Sequence, residues 1–213
     1  MRDILFLSAS ARTTQSLGYG LARELIETIQ RGNRDVNVTC RLLIKDVLPL
    51  TGDYETALTQ YTGWDASVFQ HSEALIRELE GSELLLIATP MHNFTVPASL
   101  KLWIDHVVRI GRTFEARPEG KVGLLEDRPV YVIVSSGGFH RCPQARQPDF
   151  LTPYLRHVLN TIGLFDVHFI YLEGLALDKA GAFEAVALAR HQLAQEPLFQ
   201  SLATRGPSNC SNS

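Results

Sequence analysis

A chain of 213 residues, 45% hydrophobic and 20% charged, is ordinary for a soluble globular protein and long enough to bury a continuous core. Its formal net charge of −3, with 20 basic residues scattered along the chain, leaves no electrostatic footprint for nucleic acid. No apolar run approaches the ~20 residues of a membrane span, and the stretch after Met1-Arg2-Asp3 is too short for a secretory signal core.

The first element is Ile4-Leu5-Phe6-Leu7, an unbroken apolar run of the kind seen in strands covered on both faces. Ser16 then caps a predicted helix that carries Leu17, Leu21, Leu25, Ile26 and Ile29 on one face and stops at Gly32. Val36, Val38 and Cys40 alternate with Asn37, Thr39 and Arg41, which predicts a half-covered edge strand. Residues 51–63 read as a long connection of functional or interfacial character, followed by a helix over about 65–80. A second buried strand is expected at 84–88. Ser99 is expected to cap a helix whose Leu100, Trp103, Ile104, Val107 and Val108 share a face up to Gly111. Residues 115–127 form another long excursion before the third buried run at 130–134. Thr152-Pro153 offers a cap and a first-turn proline to a helix with Leu155, Val158, Leu159 and Ile162 inward and Gly163 as its stop. Val167, Phe169 and Tyr171 predict the second edge strand. A last helix over about 182–194 turns Phe183, Val186, Ala187 and Leu193 inward. Residues 1–203 are read as one domain, and 204–213 as a polar tail without fixed structure. The three cysteines, Cys40, Cys142 and Cys210, are odd in number, far apart and without a Cys-x-x-Cys pair, so the expected setting is reduced and cytoplasmic.

Strands alternating with helices imply right-handed crossovers and an α/β, doubly wound, five-stranded parallel sheet with helices on both faces. In such a sheet ligands bind beyond the carboxyl ends of the strands, where the winding reverses. Three loops fall there. The first, Ser8 to Ser16, lacks both G-x-G-x-x-G and Gly-Lys-Ser/Thr, so it is neither a dinucleotide turn nor a P-loop. Its hydroxyls and backbone N–H groups, with Ser10, Thr14, Gln15 and Ser16 foremost, open into a helix amino terminus and suit one dianionic phosphate. Taken alone, this loop is better explained as a plain capped helix after a polar turn, because such strand-to-helix turns are common. The second loop, Met91-His92-Asn93-Phe94, combines a thioether, an imidazole, an amide and an aromatic ring. A flat ring system with polar edges needs this mixture of apolar contact, donors and acceptors. The third, Ser135-Ser136-Gly137-Gly138, lets backbone approach a ligand closely. Core packing and ordinary turn formation are the alternatives for each residue singly; the three together argue for a phosphorylated, flat, aromatic cofactor. The order of elements argues for FMN in a flavodoxin-like fold, with an expected strand order of 2-1-3-4-5.

Met91 to Phe94 with Pro97 and Leu100-Lys101, then Gly111-Arg112-Thr113-Phe114, Ser135 to Gly138, Thr152 to Leu155 and Ile162-Gly163, resemble the FMN-dependent NADH-azoreductase and NAD(P)H quinone reductase family. The resemblance runs from the first strand through the last helix. It implies a flavodoxin-like fold, a homodimer with FMN at the subunit interface, and two-electron reduction of quinones and azo compounds by NADH in ping-pong fashion. It implies that Ser10 and Thr14 to Ser16 hold the phosphate and ribityl region, Met91 to Phe94 the isoalloxazine, and Ser135 to Gly138 its far edge. The family commonly has tyrosine where His92 stands, and often another polar residue where Ser136 stands. No side-chain nucleophile is expected: there is no G-x-S-x-G turn, no H-E-x-x-H and no Cys/His cluster for a metal. His140, just past the glycines, is placed to hydrogen-bond substrate or reduced flavin, with a solvated loop histidine as the alternative. A flavodoxin-type electron carrier or a general NAD(P)H:flavin reductase is the competing reading; the small net charge disfavours the carrier.

Overall fold

The structure, a computed structural model, describes residues 1–60, 67–141 and 145–204, the last four by backbone alone. In chain order the elements are β1 (Asp3–Ser8), α1 (Leu17–Gly32), β2 (Asn37–Leu42), α2 (Leu43–Asp46), α3 (Gly52–Gln60), α4 (Gln70–Glu80), β3 (Leu84–Pro90), α5 (Ala98–Val107), β4 (Phe114–Arg117), β5 (Gly120–Gly123), β6 (Val130–Ser135), α6 (Leu151–Thr161), β7 (Val167–Leu172), α7 (Lys179–Gln195) and α8 (Pro197–Thr204). Five parallel strands form one sheet in the order β2-β1-β3-β6-β7, the expected 2-1-3-4-5 arrangement of a flavodoxin-like fold. β4 and β5 form a separate antiparallel hairpin, so the excursion at 115–127 is structured.

Alternation along the central strands sorts their side chains into two cores. Leu5, Leu7, Leu85, Ile87, Val130, Val132 and Val134 face α4, α5 and α6, where Leu75, Leu79, Trp103, Val107, Leu155 and Leu159 complete one cluster. Ile4, Phe6, Leu84, Leu86, Ala88, Tyr131 and Ile133 face α1 and the C-terminal helices, packing on Leu21, Ile26, Ile29, Ala189, Leu193 and Phe199. Full burial of such a side chain contributes about 1.5–3 kcal/mol, so these uninterrupted apolar runs supply much of the stabilisation of the sheet.

Several element ends differ from the local reading. The helix expected from residue 65 begins at Gln70, after a 3-10 turn at Ser67–Phe69, while part of the supposed connection 51–63 is α3. Residues 61–66, the tail at 205–213, and Cys142 and Cys210 lie outside the described residues. Pro97, not Ser99, occupies the cap position of α5, and that helix ends at Val107, well before Gly111. Phe150 stands at the α6 cap position, while the Thr152 N–H donates to Asp149 Oδ1 at 2.8 Å, so Thr152 is not the cap. Leu17 and Phe183 are 45% and 78% exposed, and Ala187 is exposed too, so none of them faces inward. α7 begins at Lys179, capped by Asp178, and buries Ala185, Ala189 and Leu193. The stop at Gly163 stands as expected. At φ +104° it closes α6 in a Schellman arrangement, with Leu164 N–H donating to Leu159 O at 3.0 Å and Gly163 N–H to Asn160 O at 3.1 Å.

Two histidines pin the segment between α2 and α3. Leu48 N–H donates to His71 Nε2 at 3.1 Å, and His106 Nε2 lies 2.8 Å from Leu48 O, with the rings edge-to-face at 5.0 Å. His71 can accept only while neutral. Burial, then the neighbouring His106 and Arg41, push its pKa below the ordinary histidine value; burial does the same to His106. Both folded-state values lie below the unfolded value of about 6.5, so this stability is fully present above that pH and is lost as pH falls through the depressed values. Urea midpoints followed from pH 7.5 to 5 are expected to decline less in His71→Gln than in the parent protein. Parallel declines would dissociate the clamp from acid sensitivity.

Candidate functional site

The carboxyl ends of β1, β3 and β6 lie side by side. Ser8 pairs with Ala88 and Pro90 with Ser135 in the ladder, and the loops continue the pairing: Ala9 N–H donates to Ala88 O at 2.9 Å and Met91 N–H to Ser135 O at 2.8 Å. The chain winds outward in opposite directions from β1 and β3, so the gap above this pair is the switch point of the sheet.

The first loop is a tight turn held by its own hydrogen bonds. Ser10 Oγ accepts from Arg12 N–H at 3.2 Å, and Thr13 N–H donates to Ser10 O at 3.0 Å, which folds the chain into a 3-10 turn over Thr13–Gln15. Ser16 then caps α1 as expected, its Oγ accepting from Tyr19 N–H at 3.2 Å. Thr14 and Gln15 are exposed, while Ser10 and Ser16 are half-buried. The 16-residue α1 directs its partial positive charge to this loop. Gly18 lets α1 approach the third loop closely: a Cβ there would stand 2.9 Å from Ser135 Oγ.

The second loop is a tight reversal. His92 N–H donates to Thr95 O at 2.9 Å and Thr95 N–H to His92 O at 3.0 Å, with Asn93 and Phe94 between them at φ +47° and +72°. Positive φ at both central residues is the pattern of a I′ turn; asparagine adopts it readily, whereas a phenylalanine there costs about 1–2 kcal/mol. With Thr13 at φ +47°, all three non-glycine residues of positive φ among the described residues lie in these two loops. Strain of this kind persists where surroundings impose it, and it concentrates at ligand sites. Met91 is half-buried against the core, His92 and Asn93 are exposed, and Phe94 is 44% exposed. Phe94 O accepts from Phe150 N–H at 3.0 Å, which joins the start of α6 to this rim beside another exposed aromatic ring. Ser99 ties α5 to the first loop, its Oγ donating to Ala9 O at 3.0 Å.

The third loop is folded back on the chain after β7. Leu175 N–H donates to Ser136 O and Ala176 N–H to Gly137 O, both at 3.1 Å. Ser135 is half-buried and Gly137 is exposed. The Ser136 hydroxyl is buried; it donates to Gly138 O at 2.8 Å and lies 3.2 Å from His140 Nδ1. His140 is 7% exposed, so it is no solvated loop histidine. Its Nδ1 lies 3.0 Å from Glu173 Oε1, and its Nε2 is buried without a hydrogen-bond partner among the described residues. Tyr171 packs edge-to-face on the imidazole, with its hydroxyl 3.1 Å from Thr152 Oγ1 and the Arg141 guanidinium 3.9 Å over its ring. Burial pushes the Tyr171 phenol up, against the opposing effects of the Thr152 hydrogen bond and Arg141.

All twelve residues singled out from the sequence therefore lie in three adjoining loops, with the Ser136 hydroxyl turned inward. The local reading left out Glu173 and Tyr171; a carboxylate followed by glycine at the end of a fourth neighbouring strand was the available signal. Among the described residues no group of three or more His, Cys, Asp or Glu side chains is arranged to hold a metal, and no helix is long and apolar enough to cross a membrane.

A family model described as flavodoxin-like fold matches residues 2–196. The chain is 54% identical over 203 residues to FMN-dependent NADH:quinone oxidoreductase 4 of Pseudomonas fluorescens, covering 95% of this chain and 98% of that one. It is 52% identical over 205 residues to FMN-dependent NADH:quinone oxidoreductase 5 of Burkholderia lata, covering 96% and 98%. Among solved structures, an azoreductase from Bacillus anthracis superposes with a TM-score of 0.78 at 22% identity over 91% of this chain and 97% of that chain, a likeness of fold. With its rim loops in place and residues 2–196 matched, the chain belongs to the flavodoxin-like family, alongside relatives named FMN-dependent NADH:quinone oxidoreductases.

Proposed function

We propose that this protein is an FMN-dependent oxidoreductase that draws a hydride from NADH and passes two electrons to quinones and azo compounds. The observation that carries this reading is its 54% identity, across 95% of its length, to a relative named for that activity. The geometry is compatible: a buried polar atom without a partner costs about 1–3 kcal/mol, and His140 Nε2 at the third loop is such an atom until a ligand supplies the missing group. FMN, when bound, supplies the hydride-accepting and electron-donating chemistry.

The residues of the rim bind and orient. Ser10, Thr14, Gln15 and Ser16 would hold the phosphate at the amino end of α1, where N–H groups left without intrahelical partners meet the positive end of the helix dipole. Met91 to Phe94 would line the ring system, Met91 and Phe94 giving apolar contact and Asn93 an amide. Ser135, Ser136, Gly137 and Gly138 would border its far edge, largely through backbone. No side chain acts as nucleophile. In the ping-pong order proposed here, the donor would leave before the acceptor enters. The fold unit runs over residues 1–203, works as a homodimer with the site at the subunit interface, and resides in the cytoplasm.

Protein purified from cells is expected to be yellow and to bleach on addition of NADH in the absence of air, recovering its colour when a quinone or azo dye is added. A colourless preparation that takes up no added FMN would remove the proposal. A stable one-electron form that accumulates without NADH oxidation would favour the electron carrier instead.

A further inference from the structure

We propose that Glu173 is a positioning residue that keeps the His140 proton on Nδ1, and so assigns Nε2 to take up one proton from solvent when a hydride enters the site. The inference rests on the FMN reading above. It begins from the carboxylate: Glu173 Oε1 accepts from His140 N–H at 2.7 Å and Arg141 N–H at 3.1 Å, and lies 3.0 Å from His140 Nδ1. An ionised carboxylate only accepts, so Nδ1 must carry hydrogen. The nearby Ser136 hydroxyl agrees, because its own hydrogen is given to Gly138 O and its oxygen is left to accept from Nδ1. Neutral His140 therefore presents a lone pair at Nε2, and it becomes a donor there only as the imidazolium.

Charge accounting gives this tautomer a role. A hydride leaving NADH carries two electrons and one proton, forms NAD⁺ and adds one negative charge to the site. One solvent proton bound at Nε2 cancels that charge, with Nδ1–H and Glu173 unchanged. Hydride and proton together convert a quinone to its hydroquinone, and Nε2 recovers its lone pair. The groups facing the imidazole leave this role to Glu173. Tyr171 from β7 stays a neutral phenol, since burial pushes its pKa up, and the Arg141 guanidinium lies over the Tyr171 ring. At the start of α6, Asp149 accepts from Thr152 N–H and Thr152 meets the Tyr171 hydroxyl. Glu173 is the carboxylate that touches His140 among the described residues.

The test uses full-length protein with and without FMN, comparing the parent, Glu173→Gln, His140→Gln and the double variant. Side-chain ¹⁵N NMR should show His140 as the Nδ1–H tautomer in the parent. In the FMN-loaded protein, potentiometric titration across pH should show a region where reduction takes up one more proton than in His140→Gln. That region is steeper by ~30 mV per pH unit, the two-electron equivalent of a tenfold change. Glu173→Gln retains an acceptor oxygen without charge, and it should weaken binding of this proton about tenfold, moving the break in slope down by about one pH unit. In the His140→Gln background the same change should move nothing. An Nε2–H tautomer in the neutral parent, an unmoved break in Glu173→Gln, or an equal shift in both backgrounds would overturn the assignment. Failure of the parent to bind FMN would instead overturn the functional reading, and the NMR tautomer would still decide the role of Glu173.

Discussion

Gly123→Ala is expected to destabilise the fold by about 3 kcal/mol, the upper range for overpacking a closed contact. The reason is backbone against backbone. A Cβ at Gly123 would lie 2.5 Å from the Ile162 carbonyl carbon and closer still to the Gly163 backbone, where no side chain can rotate aside. The end of β5 packs there on the turn that terminates α6, and the contact is locked by Leu125 N–H donating to Ile162 O at 3.1 Å. Gly163 is itself at φ +104°, with Leu125 O 2.5 Å from where its own Cβ would stand, so it cannot relax toward an ordinary conformation. Relief requires the β4–β5 hairpin to lift from α6. With a urea m-value of about 1–3 kcal/mol/M, the midpoint should fall by ~1 M or more. An unchanged midpoint would contradict the packing of these two glycines.

Ser10→Asp is expected to leave the fold intact and to weaken FMN binding about a hundredfold, or ~2.7 kcal/mol. Ser10 Oγ accepts one hydrogen bond, from Arg12 N–H, and an aspartate oxygen can serve the same turn. The added carboxylate would face a dianion across the first loop. Unit charges about 5 Å apart repel by ~3 kcal/mol at an effective dielectric of 20. Fluorescence quenching titrations should show the loss for FMN and little change for riboflavin, which has no phosphate. Equal FMN affinity in the variant would move the phosphate elsewhere. This result bears on the proposed cofactor, whereas the Gly123 result bears on the scaffold alone.

Most of the scaffold was legible because its signals are local. Leu84-Leu85-Leu86-Ile87 is apolar on both faces, as a central strand must be, and it lies between β1 and β6. Ser16 caps α1 and Gly163 closes α6 through hydrogen bonds that reach only a few residues along the chain. Where the reading failed, a distant partner had claimed the residue. Ser99 looked like a cap, yet its hydroxyl is engaged by Ala9, 90 positions away. Phe183 sits in a helical pattern but points to solvent, because the small Ala185 and Ala189 bring α7 close to β7 on another face. Apolar periodicity in a helix that is apolar on several sides does not choose which side is covered.

The rim loops divide along the same line. Residue types and the alternation of strands and helices were enough to place Ser10, Met91 to Phe94 and Ser135 to Gly138 at strand ends, since a parallel sheet delivers every such loop to one edge. The long-range pairing decided the chemistry around them: the depth of His140, the inward turn of Ser136, and the reach of Glu173 across 33 positions to the imidazole. Neighbours along the chain set backbone periodicity, but the protonation state of a buried side chain depends on whatever the folded sheet brings against it.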